Sequence, residues 1–118
     1  MNLPHLLPVR FVTHILEHEG KCAKVACTFP YLPTLPMLVE AAAQASSALF
    51  QGESIVMGHV VLMKEIALHV KPQNLDCCVS IQEHLSLGNA SEFYFEILEK
   101  TSDEQKIATG FLTIVLKD

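Results

Sequence analysis

The chain has 118 residues, of which half are apolar and 18% charged, and its formal net charge at pH 7 is −5. This length and composition predict one domain over residues 1–118, with a core large enough to fold without disulfides, and they exclude a disordered chain. The eight Lys and Arg residues form no cluster, which argues against binding to nucleic acid or to an anionic membrane.

The sequence carries no pattern of a secreted or membrane protein. Its first residues lack the charged, apolar and small-residue regions of a signal peptide. The longest strongly apolar stretch, residues 35–50, is too short to cross a bilayer and contains Glu40 and Gln44. We therefore expect a cytoplasmic protein that does not bind membranes.

The first third of the chain predicts two strands followed by a rigid loop. Residues 8–19 and 21–29 have strand patterns, and Gly20 marks a tight turn between them. Three prolines then follow, Pro30, Pro33 and Pro36, and they exclude regular structure in that segment.

A helix is predicted from Pro36 to about Phe50, before Gly52. Proline is favoured in the first turn of a helix, and glycine is common after the last. The sequence of this helix is apolar or small on nearly every side, which predicts a helix that is buried all round. Its alanines and serines would let a sheet approach closely.

The remainder of the chain predicts antiparallel strands. Their predicted bounds are residues 54–63, 64–71 after a bend, 76–87, 90–100 and 106–117, with turns at Pro72 and at Gly88-Asn89. The first of these is nearly all apolar, so we expect it to be buried on both faces. One sheet with one helix leaves apolar strand surface uncovered, which predicts a homodimer or a higher oligomer of dimers.

No metal or other cofactor is expected. The adjacent Cys77 and Cys78 would point to opposite faces of a strand, and their spacing from Cys22 and Cys27 matches no zinc motif. The six histidines form no pair with the spacing of metal ligands. We expect four reduced thiols that behave as small apolar side chains.

Four segments carry a resemblance to a known family. They are Leu3-Pro4-His5, Phe29-Pro30 followed by Pro33 and Pro36, the helix sequence of residues 39–45 (Val-Glu-Ala-Ala-Ala-Gln-Ala), and residues 58–72. In these the chain resembles the FabZ-type β-hydroxyacyl-[acyl-carrier-protein] dehydratases of the hotdog superfamily. Residues 64–70 are closer to the dehydratase-like proteins found beside aryl polyene gene clusters. The resemblance implies an α+β hotdog fold, in which a curved antiparallel sheet wraps around one central helix.

The resemblance also implies a reaction and a catalytic acid. Members of this family remove water from β-hydroxyacyl thioesters, with a histidine as the base and a helical carboxyl group as the acid. Glu40 matches that carboxyl group, and Gln44, one turn later, is placed to orient it. On so apolar a helix we expect desolvation to raise the pKa of Glu40, which suits a general acid. The implied partner is an acyl thioester of acyl-carrier protein or coenzyme A.

The sequence departs from the family at the catalytic base. The family histidine precedes the Phe-Pro pair, where this chain has Thr28, and threonine is no base at neutral pH. His59, which follows Gly58 on a strand expected beside the helix, is the best substitute, although a histidine of the core would look the same. The other expected substrate contacts are Thr28, Phe29, Pro30, Met37, Gln44 and Gly58, and core packing explains Phe29 and Met37 equally well.

Three functions are compatible with these residues. The first is a dehydratase of β-hydroxyacyl thioesters in fatty-acid or polyketide-type metabolism. The second is an inactive homologue that binds acyl chains or pairs with an active subunit, which the loss of the histidine favours. The third is an acyl thioesterase in which Glu40 activates water.

Overall fold

The structure, a computed structural model, describes residues 11–46, 58–99 and 105–116, with backbone alone for Gly58, His59 and Leu116. These residues form one helix, α1, and six strands. In chain order the elements are β1 (Val12–Glu19), β2 (Cys22–Thr28), α1 (Leu35–Ser46), β3 (Gly58–Leu68), β4 (Asp76–Leu87), β5 (Ala90–Glu99) and β6 (Gln105–Leu116).

The six strands form a single antiparallel sheet, as the sequence predicts, and their order in the sheet is β1-β2-β4-β5-β6-β3. Two of its hairpins turn at glycines in the left-handed region, Gly20 with φ 59° and Gly88 with φ 63°. This conformation is strained for residues that have a Cβ atom, so the two glycines fix where the hairpins turn. Strands β1 and β3 are the two edges of the sheet.

Helix α1 packs on one face of this sheet, against β1, β2, β4, β5 and β6. Leu38, Ala41, Ala42 and Ala45 are fully buried there. The alanine methyl groups are small enough for the sheet side chains to reach the helix backbone. The core on the sheet side consists mainly of aromatic and branched residues: Val25, Val79, Ile81, Phe93, Phe95, Ile97 and Leu112. The last four residues of the predicted helix, 47–50, lie outside the described residues.

The prediction that α1 is buried all round is wrong for the single chain. Pro36 and Glu40 are exposed, and Val39 and Ala43 are half-buried. The sheet covers only the flank of the helix that carries the fully buried residues, and the flank with Glu40 faces an open groove. The apolar and small side chains on this second flank are therefore not all core residues.

Strand β3 also differs from its prediction. The expected strands 64–71 and 54–63 are one strand, Gly58–Leu68, and residues 54–57 lie outside the described residues. The predicted bend is a β-bulge, because Lys64 pairs with Phe111 whereas Ala67 pairs with Thr109.

The expected burial of this strand on both faces is wrong for the single chain as well. Four consecutive apolar side chains of β3 are between 41% and 58% exposed: Val60, Val61, Leu62 and Met63. The physical reason is that β3 lies at the edge of the sheet, where β6 is its one neighbouring strand. An exposed apolar edge of this kind is a site of further strand pairing or of cover by another chain.

The cysteines are free thiols, and three of them are buried: Cys27, Cys77 and Cys78. Burial, reinforced by neighbouring thiols, raises the pKa of Cys27 to about 12. Burial raises the pKa of Cys77 to about 12 as well, with a contribution from Glu99. A thiol with so high a pKa is a poor nucleophile at neutral pH, so these cysteines serve as core residues.

A buried carboxylate fixes the loop between β3 and β4. Glu99 at the end of β5 is 1% exposed. It accepts hydrogen bonds from the backbone N–H groups of Gln73 and Asn74, the second with an N···O distance of 2.8 Å. These two donors belong to the turn predicted after Pro72, so Glu99 holds that turn against the sheet.

No helix in the described segments is long and apolar enough to cross a membrane.

We predict that Glu99→Ala destabilises the protein by about 1–3 kcal/mol, because it leaves two partly buried backbone donors without their acceptor. Chemical denaturation followed by circular dichroism measures this change. Glu17→Ala, an exposed carboxylate on β1, is the matched control and should shift stability by less than about 0.5 kcal/mol. Equal effects of the two substitutions would show that the Glu99 contacts are not structural.

Candidate functional site

An open groove of about 530 Å³ lies between the exposed flank of α1 and the edge strand β3. Seven of its eight lining residues are apolar, and Glu40 is the exception. The helix contributes Leu35, Pro36, Val39, Glu40 and Ala43, and the strand contributes Val60, Met63 and Ile66. An apolar concave surface with one polar group is typical of a site for a largely apolar ligand.

The Gln44 side chain holds Glu40 from one turn further along the helix. Its Nε2 donates to Glu40 Oε2 at 3.1 Å. Its Oε1 accepts from the backbone N–H of Phe11 at 2.8 Å and from that of Val12 at 3.3 Å. Because the oxygen is used by two backbone donors, the amide presents its N–H side to Glu40. The spacing of four residues that suggested this contact therefore brings the two side chains together.

The carboxyl group of Glu40 is more open to water than the sequence suggests. We expected a desolvated carboxyl group on a buried helix, but Glu40 is exposed in the single chain. The reason is its position on the flank of α1 that the sheet leaves uncovered. The Glu40 oxygens can therefore reach both water and a ligand in the groove.

A Thr–Asp pair stands at the position where the sequence resemblance would place a histidine. Thr28 is exposed at the end of β2, and its Oγ1 donates to Asp76 Oδ1 at 2.8 Å. The strand register places these two residues directly opposite each other. Thr28 does not line the groove, and the structure does not bring it together with Glu40.

The other predicted substrate contacts are dispersed. Phe29 is 1% exposed and packs on Phe11 with ring centroids 4.8 Å apart, so it belongs to the core. Pro30 is exposed on the following loop, and Met37 is half-buried against the core. None of these three residues lines the groove.

The candidate base lies on the groove strand. The backbone of Gly58 and His59 begins β3, where His59 pairs with Val115 of β6. The side chain of His59 falls outside the described part of the structure, so its catalytic role stays a prediction. His5, which belongs to one of the four segments that carry the resemblance, also lies outside the described residues.

None of the four histidines whose side chains are described lines the groove. His69 contacts Thr109 Oγ1 at 2.8 Å, and His84 lies 3.9 Å from Glu92. His14 is exposed on β1 and His18 is half-buried there. Across residues 11–46, 58–99 and 105–116, no three His, Cys, Asp or Glu side chains are grouped so that they could hold a metal ion.

Sequence reasoning did not identify the strand-side wall of the groove or the partner of Thr28. Val60 and Met63 lie in the segment expected to be buried on both faces, because an apolar run has the same pattern in a buried strand and in a groove wall. Ile66 carried no predicted role. Asp76 is 48 positions from Thr28, and only the β2–β4 register joins the two.

Comparison with known proteins identifies the fold. No protein-family model matches the sequence, and no curated protein does. The dehydratase heterocomplex ApeI:P from Xenorhabdus doucetiae superposes with a TM-score of 0.75 at 15% identity, over 98% of this chain and 88% of that one. A variant of a thioesterase from Staphylococcus aureus gives a TM-score of 0.69 at 15% identity, over 97% and 99%.

The chain has the hotdog fold. A third solved structure with the same architecture is a sigma28-regulated virulence protein from Campylobacter jejuni, with a TM-score of 0.72 at 16% identity over 98% of this chain and 90% of that one. At these identities the likeness establishes the fold and no more. The solved structures with this fold include a dehydratase complex, a thioesterase and a hypothetical thioesterase.

We predict that Gln44→Ala lowers the free energy of unfolding by about 1–3 kcal/mol, because the Phe11 and Val12 amides lose their acceptor at a partly buried position. Urea unfolding monitored by circular dichroism measures the effect. Gln82→Ala, an exposed glutamine of β4, is the matched control. A Gln44→Ala protein as stable as this control would contradict the anchoring role.

Proposed function

We propose that this protein acts on acyl thioesters, with Glu40 as the catalytic carboxyl group. The observation that carries the proposal is the placement of a single carboxyl group, held by Gln44, on the wall of an otherwise apolar groove. The apolar wall suits an acyl chain. Among the described lining residues, Glu40 has the one polar side chain, and it can exchange a proton with a bound thioester.

The reaction that we propose first is the dehydration of a β-hydroxyacyl thioester carried by acyl-carrier protein or coenzyme A. A base takes the α-proton, the bond to the β-oxygen breaks, and Glu40 protonates the departing hydroxyl group to give water and an α,β-double bond. His59 is the base that we propose, because its backbone lies at the start of the strand that forms the groove wall. The structural likeness to a dehydratase complex supports dehydration as the reaction.

Hydrolysis of the thioester is the second candidate, and the exposure of Glu40 favours it. A carboxylate that water reaches and that accepts an N–H from Gln44 can take a proton from an attacking water molecule. Water would then add to the thioester carbonyl carbon, and the thiol would leave with a proton. The hotdog relatives that are thioesterases support this alternative.

A third candidate is an inactive subunit that binds acyl chains or pairs with an active homologue. The Thr28–Asp76 pair favours it, because neither side chain replaces the imidazole of the family at that position. The similar X. doucetiae structure is a heterocomplex. In this hypothesis the groove binds an acyl chain, and the protein alone turns over no thioester.

We predict that Glu40→Gln lowers thioester turnover by about two to four orders of magnitude, the usual contribution of general acid–base catalysis. Mass spectrometry of β-hydroxyacyl and acyl thioesters incubated with the protein measures turnover. Loss of water identifies the dehydratase, and a free acid with a free thiol identifies the thioesterase. The substitution keeps the shape of the side chain and removes its ability to exchange a proton.

Two further variants sharpen this test. Glu17→Gln, on the remote edge strand β1, should keep full activity. Gln44→Glu keeps an acceptor for the Phe11 and Val12 amides but places a second carboxyl group beside Glu40, so activity should fall while the fold persists. Full activity of Glu40→Gln would overturn the catalytic assignment. Acyl binding without turnover in the unmodified protein would favour the third candidate.

We also propose a homodimer that covers the apolar edge strand, or a higher oligomer built from such dimers. The exposed side chains of β3 carry this proposal, and a stable interface buries on the order of 1,600 Å² in total. Val60 and Met63 belong both to this edge and to the groove, so a partner on β3 would also cover the groove.

We also propose that the protein is cytoplasmic, as the sequence analysis predicts.

We predict that Val61→Glu converts the dimer to a monomer, because it places a charge in the middle of the apolar edge. Light scattering at micromolar concentration measures the mass. Leu16→Glu, at an exposed apolar position on the opposite edge strand β1, should leave the dimer intact. An unmodified protein that is monomeric at this concentration would refute the proposal.

A further inference from the structure

We infer that Ile66 determines the length of the acyl chain that the groove accepts. The inference rests on the proposed function, since it concerns the apolar ligand of the same groove. Ile66 is the one strand residue that belongs both to the groove wall and to the surface packed against the hydrophobic core. Met63 and Val60, the other two strand residues, are 55% and 41% exposed and form the rim.

The backbone of β3 directs Ile66 toward the helix. Between Lys64, opposite Phe111, and Ala67, opposite Thr109, the strand contains one residue more than its partner. Glu65 absorbs the extra residue with φ 55°, a left-handed conformation that is unfavourable for a side chain other than glycine. Without this bulge, strict alternation along the strand would not place both Met63 and Ile66 on the groove wall.

Gly110 fixes the depth at which Ile66 lies. A Cβ atom at Gly110 would collide with Ile66 Cδ1 and would approach the Phe95 ring to 3.1 Å. Phe95 is fully buried in the core. The Ile66 side chain therefore lies directly over the β6 backbone, beside the buried Phe95 ring. This makes it the floor on which the end of an acyl chain would rest.

Two substitutions should change the accepted length in opposite directions. Ile66→Ala removes three carbon atoms from the floor, so the groove deepens and should favour longer chains. Ile66→Phe fills the groove from the same backbone position and should favour shorter chains. Each methylene group that gains or loses burial should change affinity by roughly fourfold.

Gly110→Ala tests the coupling through a residue that does not line the groove. Its methyl group should push Ile66 into the groove and shorten the preferred chain, as Ile66→Phe does. The double variant Gly110→Ala with Ile66→Ala removes the colliding side chain and should restore the longer preference. A merely structural effect of Gly110→Ala on stability would not be reversed in this way.

The experiment measures dissociation constants by isothermal titration calorimetry for a homologous series of S-alkyl coenzyme A thioethers, which bind without reacting. We expect the optimum chain length to rise in Ile66→Ala and to fall in Ile66→Phe and Gly110→Ala. Met63→Ala, a rim substitution, should weaken binding at every length without moving the optimum. Circular dichroism verifies the folding of each variant, and the conservative Ile66→Val should give a smaller shift toward longer chains if Ile66→Ala does not fold.

The possible results distinguish a failure of the Ile66 inference from a failure of the proposed function. An unmodified protein that binds the series with an optimum that no Ile66 variant moves overturns the role of Ile66 and leaves the thioester proposal standing. An unmodified protein that binds none of these ligands and turns over no thioester overturns both. Shifts in the predicted directions, with reversal in the double variant, support Ile66 as the determinant of chain length.

Discussion

The side-chain amide of Gln44 joins the Glu40 carboxyl group to the start of β1, which lies 32 to 33 positions earlier in the sequence. Its oxygen accepts the backbone N–H groups of Phe11 and Val12, where the chain leads into β1. Its nitrogen donates to Glu40 on the open flank of α1. Since a backbone donor without an acceptor is costly when partly buried, the amide cannot rotate without a loss of stability. The position of the Glu40 carboxyl group therefore depends on the start of the sheet.

The uneven cover of α1 explains how a charged residue is tolerated on so apolar a helix. The sheet buries the flank that carries Leu38, Ala41 and Ala45 and leaves the flank with Glu40 facing water. A carboxylate in this position keeps its hydration, so it carries little of the desolvation cost of a buried charge. The same asymmetry opens the groove and leaves the apolar edge of β3 for another chain to cover.

Much of the fold was predictable because its signals are local. Alternating side chains, Gly20 and Gly88 at the hairpins, and Pro36 in the first turn of the helix each act over a few residues. The contact between Gln44 and Glu40 was predictable for the same reason, since it spans one helical turn. What α1 faces on each side was not, because alanine and serine fit a core, a groove and an interface equally well.

The rest of the site depends on contacts between distant parts of the chain. The β2–β4 register pairs Thr28 with Asp76, and the fold buries Phe29 against Phe11. No local pattern encodes either contact. The apolar run in the first part of β3 predicts a fully buried strand, because the same run occurs whether this chain or another one covers it. The bulge at Glu65, by contrast, was visible only as a bend, and its effect on Ile66 required the pairing with β6.

Nuclear magnetic resonance of the Gln44 side-chain amide tests most directly whether the groove beside Glu40 is the ligand site. The protein, labelled with ¹⁵N and with ¹³C in the isoleucine methyl groups, would be titrated with an S-alkyl coenzyme A thioether. If the groove is the ligand site, the Gln44 amide signals and the Ile66 Cδ1 methyl signal should show saturable shifts over the same range of ligand concentration. Saturable shifts confined to other regions, such as the Thr28 and Asp76 backbone, with both groove signals unchanged, would place the ligand elsewhere.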